Sequence, residues 1–180
     1  TKDYINAFIR YTEAKYGDKI LGYWLLGGYT TEWFSFKDRE ETHPVKLAAF
    51  RKYLRNENAV IPTLEERTKP KEQIFLDPVT DDKLIKYRRF HAELISGLVL
   101  DFCKAAKEAM GGKKLVGLFF GYIMELGSCV WQWGHLDLDR VNESPYVDMI
   151  ATPSSYQFRN YDDGTAYMIL TESVKENGKL

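Results

Sequence analysis

An uncharged apolar run from Ile20 to Gly27 constrains the fold of this chain more than any other feature. Eight consecutive residues without a charge are typical of a β-strand that is buried on both faces of a parallel sheet. Two further candidate strands, Leu115 to Tyr122 and Tyr146 to Ala151, follow it, and helical patterns separate the three. Because parallel strands are joined by right-handed helical crossovers, this order predicts an α/β fold with a parallel sheet.

Five segments between and around these runs have helical periodicity. They are residues 3–16, 44–55, 81–110, 138–142 and 165–176. Asp3 is the candidate N-cap of the first helix, and Gly17 is its candidate C-terminal stop. Residues 56–80 hold three of the six prolines and a dense run of charge, which predicts a surface insertion within one domain. Gly178 to Leu180 resemble the first residues of a further strand.

Composition excludes several classes of protein. The chain has 180 residues, of which 44% are hydrophobic, and this is enough for one domain with a large core. The net charge is −1, from 25 basic and 26 acidic residues, so no nucleic-acid or membrane partner is expected. No transmembrane run or signal peptide is present, and the abrupt start is typical of the inside of a longer protein. Cys103 and Cys129 are predicted to be free thiols.

Polar and aromatic side chains are concentrated after the predicted strands. They are Glu32, Trp33, Tyr122, Trp131, Trp133, His135, Tyr156 and Arg159. In parallel α/β architectures the loops after the carboxyl ends of the strands hold the ligand. Sugars stack their apolar faces on aromatic rings, and glycoside hydrolysis uses two carboxylic acids that face the scissile bond. These loops therefore predict a carbohydrate site, although each aromatic ring has the alternative role of capping the core.

Glu32 is the preferred loop acid, because it directly follows the first predicted strand and lies between a threonine and a tryptophan. The alternative is a loop carboxylate exposed to solvent. Glu125, three residues beyond the second strand, ranks second. Asp137 and Asp139 are predicted to be acids at the start of a helix or in a turn.

No cofactor or metal ion is predicted. His43 precedes a proline and is a candidate helix cap, His91 is expected to pack in the core, and only His135 has a loop position suited to substrate contact. The three histidines lack the spacing of metal ligands. GxGxxG, P-loop and GxSxG motifs are absent, so nucleotide-binding and serine-hydrolase functions have no support.

Several stretches carry a resemblance to a known family. They are GYWLLGGYTTEWF, FFGYIMELG and WGHLDLDRVNESPYVDMIATPSSY, together with Arg159 and Gly164. From about Lys19 onward, the chain resembles bacterial β-galactosidase-type glycoside hydrolases related to family 42. The combination of GG-x-T-x-EW with SPYVD-x-I-x-(S/T)P-x-SY is moderately specific, whereas either motif alone is weak. The resemblance implies a retaining hydrolase of clan A on a (β/α)₈ TIM barrel.

The resemblance also implies where this chain lies in the barrel. A complete barrel needs roughly 200 to 250 residues, so the chain is expected to be a partial barrel that corresponds to about strands 4 to 7. Glu32 matches the acid/base glutamate that follows strand 4, while the nucleophile after strand 7 would fall just beyond Leu180. Thr31 occupies the place where most relatives have asparagine, and this departs from the family pattern.

The implied function is that of a portion of a retaining glycoside hydrolase acting on O-glycosidic bonds, inactive as the isolated segment. The alternative is a non-catalytic carbohydrate-binding or assembly lobe. Carbohydrate is the expected partner. A partial barrel exposes strand edges and an apolar face, which predicts self-association or pairing with the missing half. The sequence is compatible with a location of the parent protein in either the bacterial cytoplasm or the periplasm.

Overall fold

The computed structural model has a mixed α/β fold with a small parallel sheet, which confirms the predicted class. It describes residues 1–27, 31–34, 43–68, 75–124, 134–154, 161–162 and 167–180. The described strands are β1 (Gly22–Leu25), β2 (Leu115–Phe119) and β3 (Met149–Ala151). The described helices are α1 (Lys2–Tyr16), α2 (Pro44–Leu54), α3 (Leu64–Thr68), α4 (Asp82–Ala109), α5 (Leu138–Asn142) and α6 (Thr171–Glu176). One turn of 3₁₀ helix, Gly17–Lys19, joins α1 to the residues before β1.

The strands lie side by side in chain order, β1-β2-β3, and both pairs are parallel. Leu180 extends this order at the free edge of β3. Its N–H donates to the carbonyl of Asp148 at 2.9 Å, and its carbonyl accepts the N–H of Ile150 at 2.9 Å. This is the pair of backbone bonds that a parallel neighbour makes. The last residues of the chain therefore lie where the predicted further strand would begin.

The two faces of the sheet differ in burial. On one face the β2 side chains of Val116 and Leu118 are fully buried and belong to the main core. On the other face Trp24 is 38% exposed, and its ring packs over Gly117, where a Cβ would lie 2.4 Å from the ring. The prediction that Ile20 to Gly27 is buried on both faces is wrong for β1 in the described part of the chain, because no described helix covers Trp24.

The long helix α4 forms one side of the main core, at nearly the predicted bounds. Val99, Cys103 and Ala106 are fully buried on its inner stripe. Burial raises the pKa of the Cys103 thiol to about 12, so this free cysteine stays protonated and inert. Cys129 lies outside the described residues. Among the helices that the structure describes, none is both long and apolar enough to cross a membrane.

The start of the predicted insertion shares a small second core with α2 and the N-terminal half of α4. That second cluster consists of Phe50, Ala59, Tyr87 and Phe90. A capping box starts α3: Glu66 N–H donates to Thr63 Oγ1 at 3.2 Å, and Thr63 N–H donates to Glu66 Oε2 at 2.6 Å. The charged residues Glu65, Glu66 and Arg67 are thus helical, because Thr63 and Glu66 satisfy each other's backbone N–H groups at the start of the helix.

The observed ends of the helices differ in part from the predicted caps. His43 caps α2, since its Nδ1 accepts the N–H of Val45 at 3.3 Å, as predicted. The prediction of Asp3 as the N-cap of α1 is wrong, because Thr1 precedes the helix and Asp3 lies inside its first turn. The predicted stop of α1 at Gly17 is confirmed, since the helix ends at Tyr16; Gly17 has a φ of −58° and begins the 3₁₀ turn. The final helix begins at Thr171, later than predicted.

Candidate functional site

The turn after β1 presents Glu32 between two residues with unusual backbone angles. Thr31 has a φ of +71° and Trp33 has a φ of +57°, in a region that non-glycine residues rarely adopt. Trp33 N–H donates to the carbonyl of Gly27 at 3.0 Å, and Glu32 pairs with Gly27 in an isolated parallel bridge. Strain of this kind costs about 1–3 kcal/mol per residue and is concentrated at functional sites.

Trp33 anchors this turn to the core. Its side chain is 5% exposed, and its indole N–H donates to the carbonyl of Leu25 at 3.1 Å. The ring also packs on Phe102, with centroids 5.5 Å apart. Gly27 permits this packing, because a Cβ there would lie 2.5 Å from the indole. The burial of Trp33 makes it a support for Glu32, with no ring face open to solvent.

Tyr122 connects the loop after β2 to Glu32. Its hydroxyl donates to Glu32 Oε1 at 3.0 Å, although the two residues are 90 positions apart in the chain. Tyr122 is 2% exposed, whereas Glu32 is partly exposed. The carboxyl ends of two adjacent parallel strands therefore bring these side chains together, at the end of the sheet where the sequence predicts polar and aromatic side chains.

His135 is fully buried and packs among three aromatic rings, of which Phe120 and Tyr122 are buried and Phe34 is partly exposed. The centroid of its ring is 4.3 Å from that of Phe120, 4.9 Å from that of Phe34 and 5.2 Å from that of Tyr122. Its Nδ1 accepts the backbone N–H of Tyr122 at 3.3 Å. His135 therefore contacts the residue that holds Glu32, and it is closed off from solvent.

Burial keeps the imidazole of His135 neutral. It lowers the pKa of His135 from 6.5 to about 3. Hydrogen bonding with the backbone of Glu32 and Trp33 raises this pKa and only partly offsets the effect of burial. Between these two values the unfolded chain binds a proton that the folded chain excludes. The burial of neutral His135 therefore leaves the free energy of unfolding unaffected by its protonation above about pH 6.5. The free energy of unfolding then falls progressively as the pH is lowered towards 3.

We expect His135→Gln to remove this component of the pH dependence. Between pH 7 and pH 5 the wild-type chain should lose about 2 kcal/mol more unfolding free energy than the variant, because one pH unit is worth about 1.4 kcal/mol. Urea unfolding followed by tryptophan fluorescence at both pH values measures the difference. Equal losses in the two proteins would contradict the prediction.

Four of the eight predicted site residues lie together: Glu32, Trp33, Tyr122 and His135. The other four, Trp131, Trp133, Tyr156 and Arg159, lie outside the described residues, as does the competing acid Glu125.

Asp137 immediately precedes α5, which agrees with its predicted place at the start of a helix. Its carboxylate accepts a hydrogen bond from the Ser96 hydroxyl and lies 3.7 Å from the Arg140 guanidinium. These contacts tie the start of α5 to α4. Asp139 lies in the first turn of the same helix.

Sequence reasoning missed Phe34 and Phe120, whose rings both contact His135 directly. Phe34 directly follows the Glu32-Trp33 pair, and Phe120 lies at the end of the second apolar run. The available signals were the position of Phe34 after the first predicted strand and that of Phe120 near the end of the second. Their common partner could not be inferred, because His135 is distant in the sequence.

The arrangement leaves the Glu32 carboxylate partly exposed beside the buried side chains of Trp33, Tyr122 and His135. A carboxylate that one hydroxyl holds in place can bind a polar ligand or transfer a proton at its free oxygen. The described ranges contain no group of three or more His, Cys, Asp or Glu side chains that could hold a metal ion. The chemistry of the described cluster is therefore that of a positioned carboxylate.

Comparison of the chain with family models, with curated proteins and with solved structures gave no significant match.

Proposed function

We propose that this chain is a portion of a retaining, β-galactosidase-like glycoside hydrolase that acts on O-glycosidic bonds, with Glu32 as the general acid/base. The observation that carries the proposal is the hydrogen bond from Tyr122 to Glu32, at the carboxyl ends of β1 and β2. Ligands of parallel α/β folds bind at that end of the sheet. The motif resemblance to family 42 supplies the reaction class.

The proposed architecture is a partial (β/α)₈ barrel that corresponds to about strands 4 to 7. The strand order supports it, because barrel strands follow chain order, whereas doubly wound sheets reverse order at a switch point. The position of Leu180 beside β3 continues that order. In a barrel, the face that carries Trp24 would be the interior and α4 would belong to the outer ring.

The proposed roles follow from burial. Glu32 would protonate the departing oxygen and later activate water, which is the task of the acid/base in retaining hydrolysis. Trp33 and Tyr122 would hold its carboxylate in one orientation, a contribution that catalysis requires of neighbouring groups. Sugar binding is assigned to four aromatic or basic loop residues: Trp131, Trp133, Tyr156 and Arg159. This reaction requires no cofactor.

A second candidate function is a non-catalytic carbohydrate-binding or assembly lobe. It is favoured by the presence of a single carboxylate, that of Glu32, in the described cluster around Tyr122 and His135. Glycoside hydrolysis needs a second carboxylic acid about 5 to 5.5 Å away in a retaining enzyme. In such a lobe Glu32 would bind a sugar hydroxyl and transfer no proton.

Hydrolysis of an aryl β-galactoside tests the proposal. We expect negligible activity from this chain alone, because the proposed strand assignment places the nucleophile beyond Leu180. In the full parent polypeptide Glu32→Gln should lower activity about 10²–10⁴-fold, the usual contribution of general acid–base catalysis. Glu172→Gln, at an exposed position of α6, is the matched control and should leave activity unchanged.

Two results would contradict the hydrolase. One is a parent whose activity is unaffected by Glu32→Gln. The other is galactoside binding without turnover in the parent, which would favour the carbohydrate-binding lobe. The reading frame of the parent is an independent check, because the proposal requires a glutamate a few residues beyond Leu180.

We also expect the isolated chain to self-associate or to pair with a complementary half barrel. The described sheet leaves the outer edge of β1 without a partner strand, and Leu26 beside it is 53% exposed. Unpaired edges and apolar faces favour association. Sedimentation at micromolar concentration should show species larger than the monomer, and Leu26→Lys should reduce them. A monomer that binds no dye for exposed apolar surface would contradict this expectation.

A further inference from the structure

His135 contacts both loops of the candidate site. Its Nδ1 accepts the backbone N–H of Tyr122, which belongs to the loop after β2. Phe34, two residues beyond Glu32, packs on the same imidazole from the loop after β1. Since Tyr122 and Glu32 follow different strands, contacts to both loops constrain how the two side chains meet.

The backbone directs these three side chains towards one another. Glu32, Tyr122 and His135 are each preceded by a residue with a positive φ, namely Thr31 at +71°, Gly121 at +83° and Gly134 at +84°. The two glycines lie in crowded places, because a Cβ would come within 2.7 Å of Ile169 at Gly121 and within 2.4 Å of Ile95 at Gly134. Both positions are therefore packed too closely for a larger residue.

The hydrogen bond from Tyr122 also fixes the tautomer of His135. A ring nitrogen that accepts a hydrogen bond is unprotonated, so the neutral ring carries its proton on Nε2. Nε2 is buried, and the backbone of Glu32 and Trp33 lies near the ring and favours a proton on it, although no described residue makes a well-aligned hydrogen bond with Nε2. An apolar side chain at this place could not accept the Tyr122 N–H, and leaving that buried donor unsatisfied would cost about 1–3 kcal/mol.

We propose that His135 is a positioning residue, a neutral imidazole that accepts the Tyr122 backbone N–H and thereby holds the Tyr122 hydroxyl on the Glu32 carboxylate. This assignment replaces the substrate contact expected from its loop position, because complete burial closes the ring to a ligand. It rests on the proposed function only in treating Glu32 as the reacting group. The linkage from His135 through Tyr122 to Glu32 does not depend on the reaction.

Nitrogen-15 NMR of the wild-type chain tests the tautomer without any substitution. We expect an unprotonated Nδ1 and a protonated Nε2 for His135, with no titration of the ring between about pH 5 and pH 8, where an ordinary histidine changes charge. A proton on Nδ1, or a titration in that range, would overturn the proposal even if every variant failed to fold.

Two substitutions separate the two ring nitrogens. His135→Asn keeps an acceptor near the position of Nδ1, whereas His135→Gln keeps a donor near Nε2 and removes the acceptor. The readout is the carboxyl carbon-13 resonance of Glu32 at one fixed pH, and Tyr122→Phe defines its shift when the hydroxyl is lost. We expect His135→Gln to reproduce most of that shift and His135→Asn to reproduce little of it. Small shifts in both would overturn the proposal.

A double-variant cycle separates positioning from packing. If His135 acts through the Tyr122 hydroxyl, His135→Gln should add no further shift to the Glu32 resonance of Tyr122→Phe. Additive shifts would overturn the proposal, because they would show that His135 affects Glu32 by another route. These readouts need no turnover, so an inactive parent would contradict the hydrolase and leave the His135 result intact.

Discussion

Gly134→Ala is expected to lower the free energy of unfolding by about 2–5 kcal/mol, the sum of a backbone cost and a packing cost. Gly134 has a φ of +84°, and the left-handed region costs a residue with a Cβ about 1–2 kcal/mol. The new Cβ would also lie 2.4 Å from Cγ1 and 2.9 Å from Cβ of Ile95 on α4. Overpacking of this kind costs about 1–3 kcal/mol, because neither backbone can move away freely.

Gly111→Ala is the matched control. Gly111 also has a positive φ, +63°, but no described atom beyond its chain neighbours lies within 4 Å of the site of its Cβ. Its substitution should lower the free energy of unfolding only by the backbone cost of a positive φ, about 1–2 kcal/mol. Urea unfolding of both variants measures the two losses. Equal losses would show that the contact with Ile95 carries no energy, contrary to the prediction.

Asp148→Ala is expected to lower the free energy of unfolding by about 1–3 kcal/mol, the cost of leaving largely buried groups without their hydrogen-bond partner. Asp148 Oδ2 lies 2.5 Å from Lys107 Nζ, and their side chains are 26% and 13% exposed. The same oxygen accepts the N–H of Val116 at 2.7 Å. The alanine would leave an ammonium largely buried and a strand N–H without its acceptor, and both losses destabilise the fold.

Asp101→Ala controls for the loss of a surface carboxylate. Asp101 pairs with Lys2 at 2.6 Å, but their side chains are 52% and 48% exposed. An exposed pair contributes about 0–1 kcal/mol, so this variant should unfold almost like the wild type.

A double variant, Lys107→Met with Asp148→Asn, tests the ion-pair explanation directly. It should recover much of the stability lost in Asp148→Ala, because no unpaired charge remains and the introduced amide oxygen can still accept the N–H of Val116. Urea unfolding under the same conditions measures the recovery. A double variant as unstable as Asp148→Ala would contradict the explanation.

Much of the architecture could be predicted from local patterns. The stripe of apolar residues that ends at Gly111 predicted α4 to within a residue or two, and the uncharged runs predicted the positions of β1 and β2. These patterns succeed because helix and strand periodicities are properties of neighbouring residues. The parallel pairing followed from the helical connections, which leave little other choice.

The site was only partly predictable, because its decisive contacts join distant segments. The position of Glu32 after β1 indicated a functional loop, but nothing in the sequence paired it with Tyr122, 90 residues away. Trp33 and His135 looked like ligand-binding loop residues, whereas packing with Phe102 and Phe120 places both in the interior. Loop position alone does not determine on which side of the backbone a side chain lies.

The sequence by itself determined the class of the fold, the chain order of helices and strands, and the end of the sheet at which polar side chains gather. Only the tertiary structure decided that one sheet face holds the main core and that Glu32, Tyr122 and His135 form one cluster. The physical reason is the range of the interactions. Periodicity acts over a few residues, whereas the hydrogen bond of Tyr122 to Glu32 and the close approach of Gly134 to Ile95 join segments that are far apart in the chain.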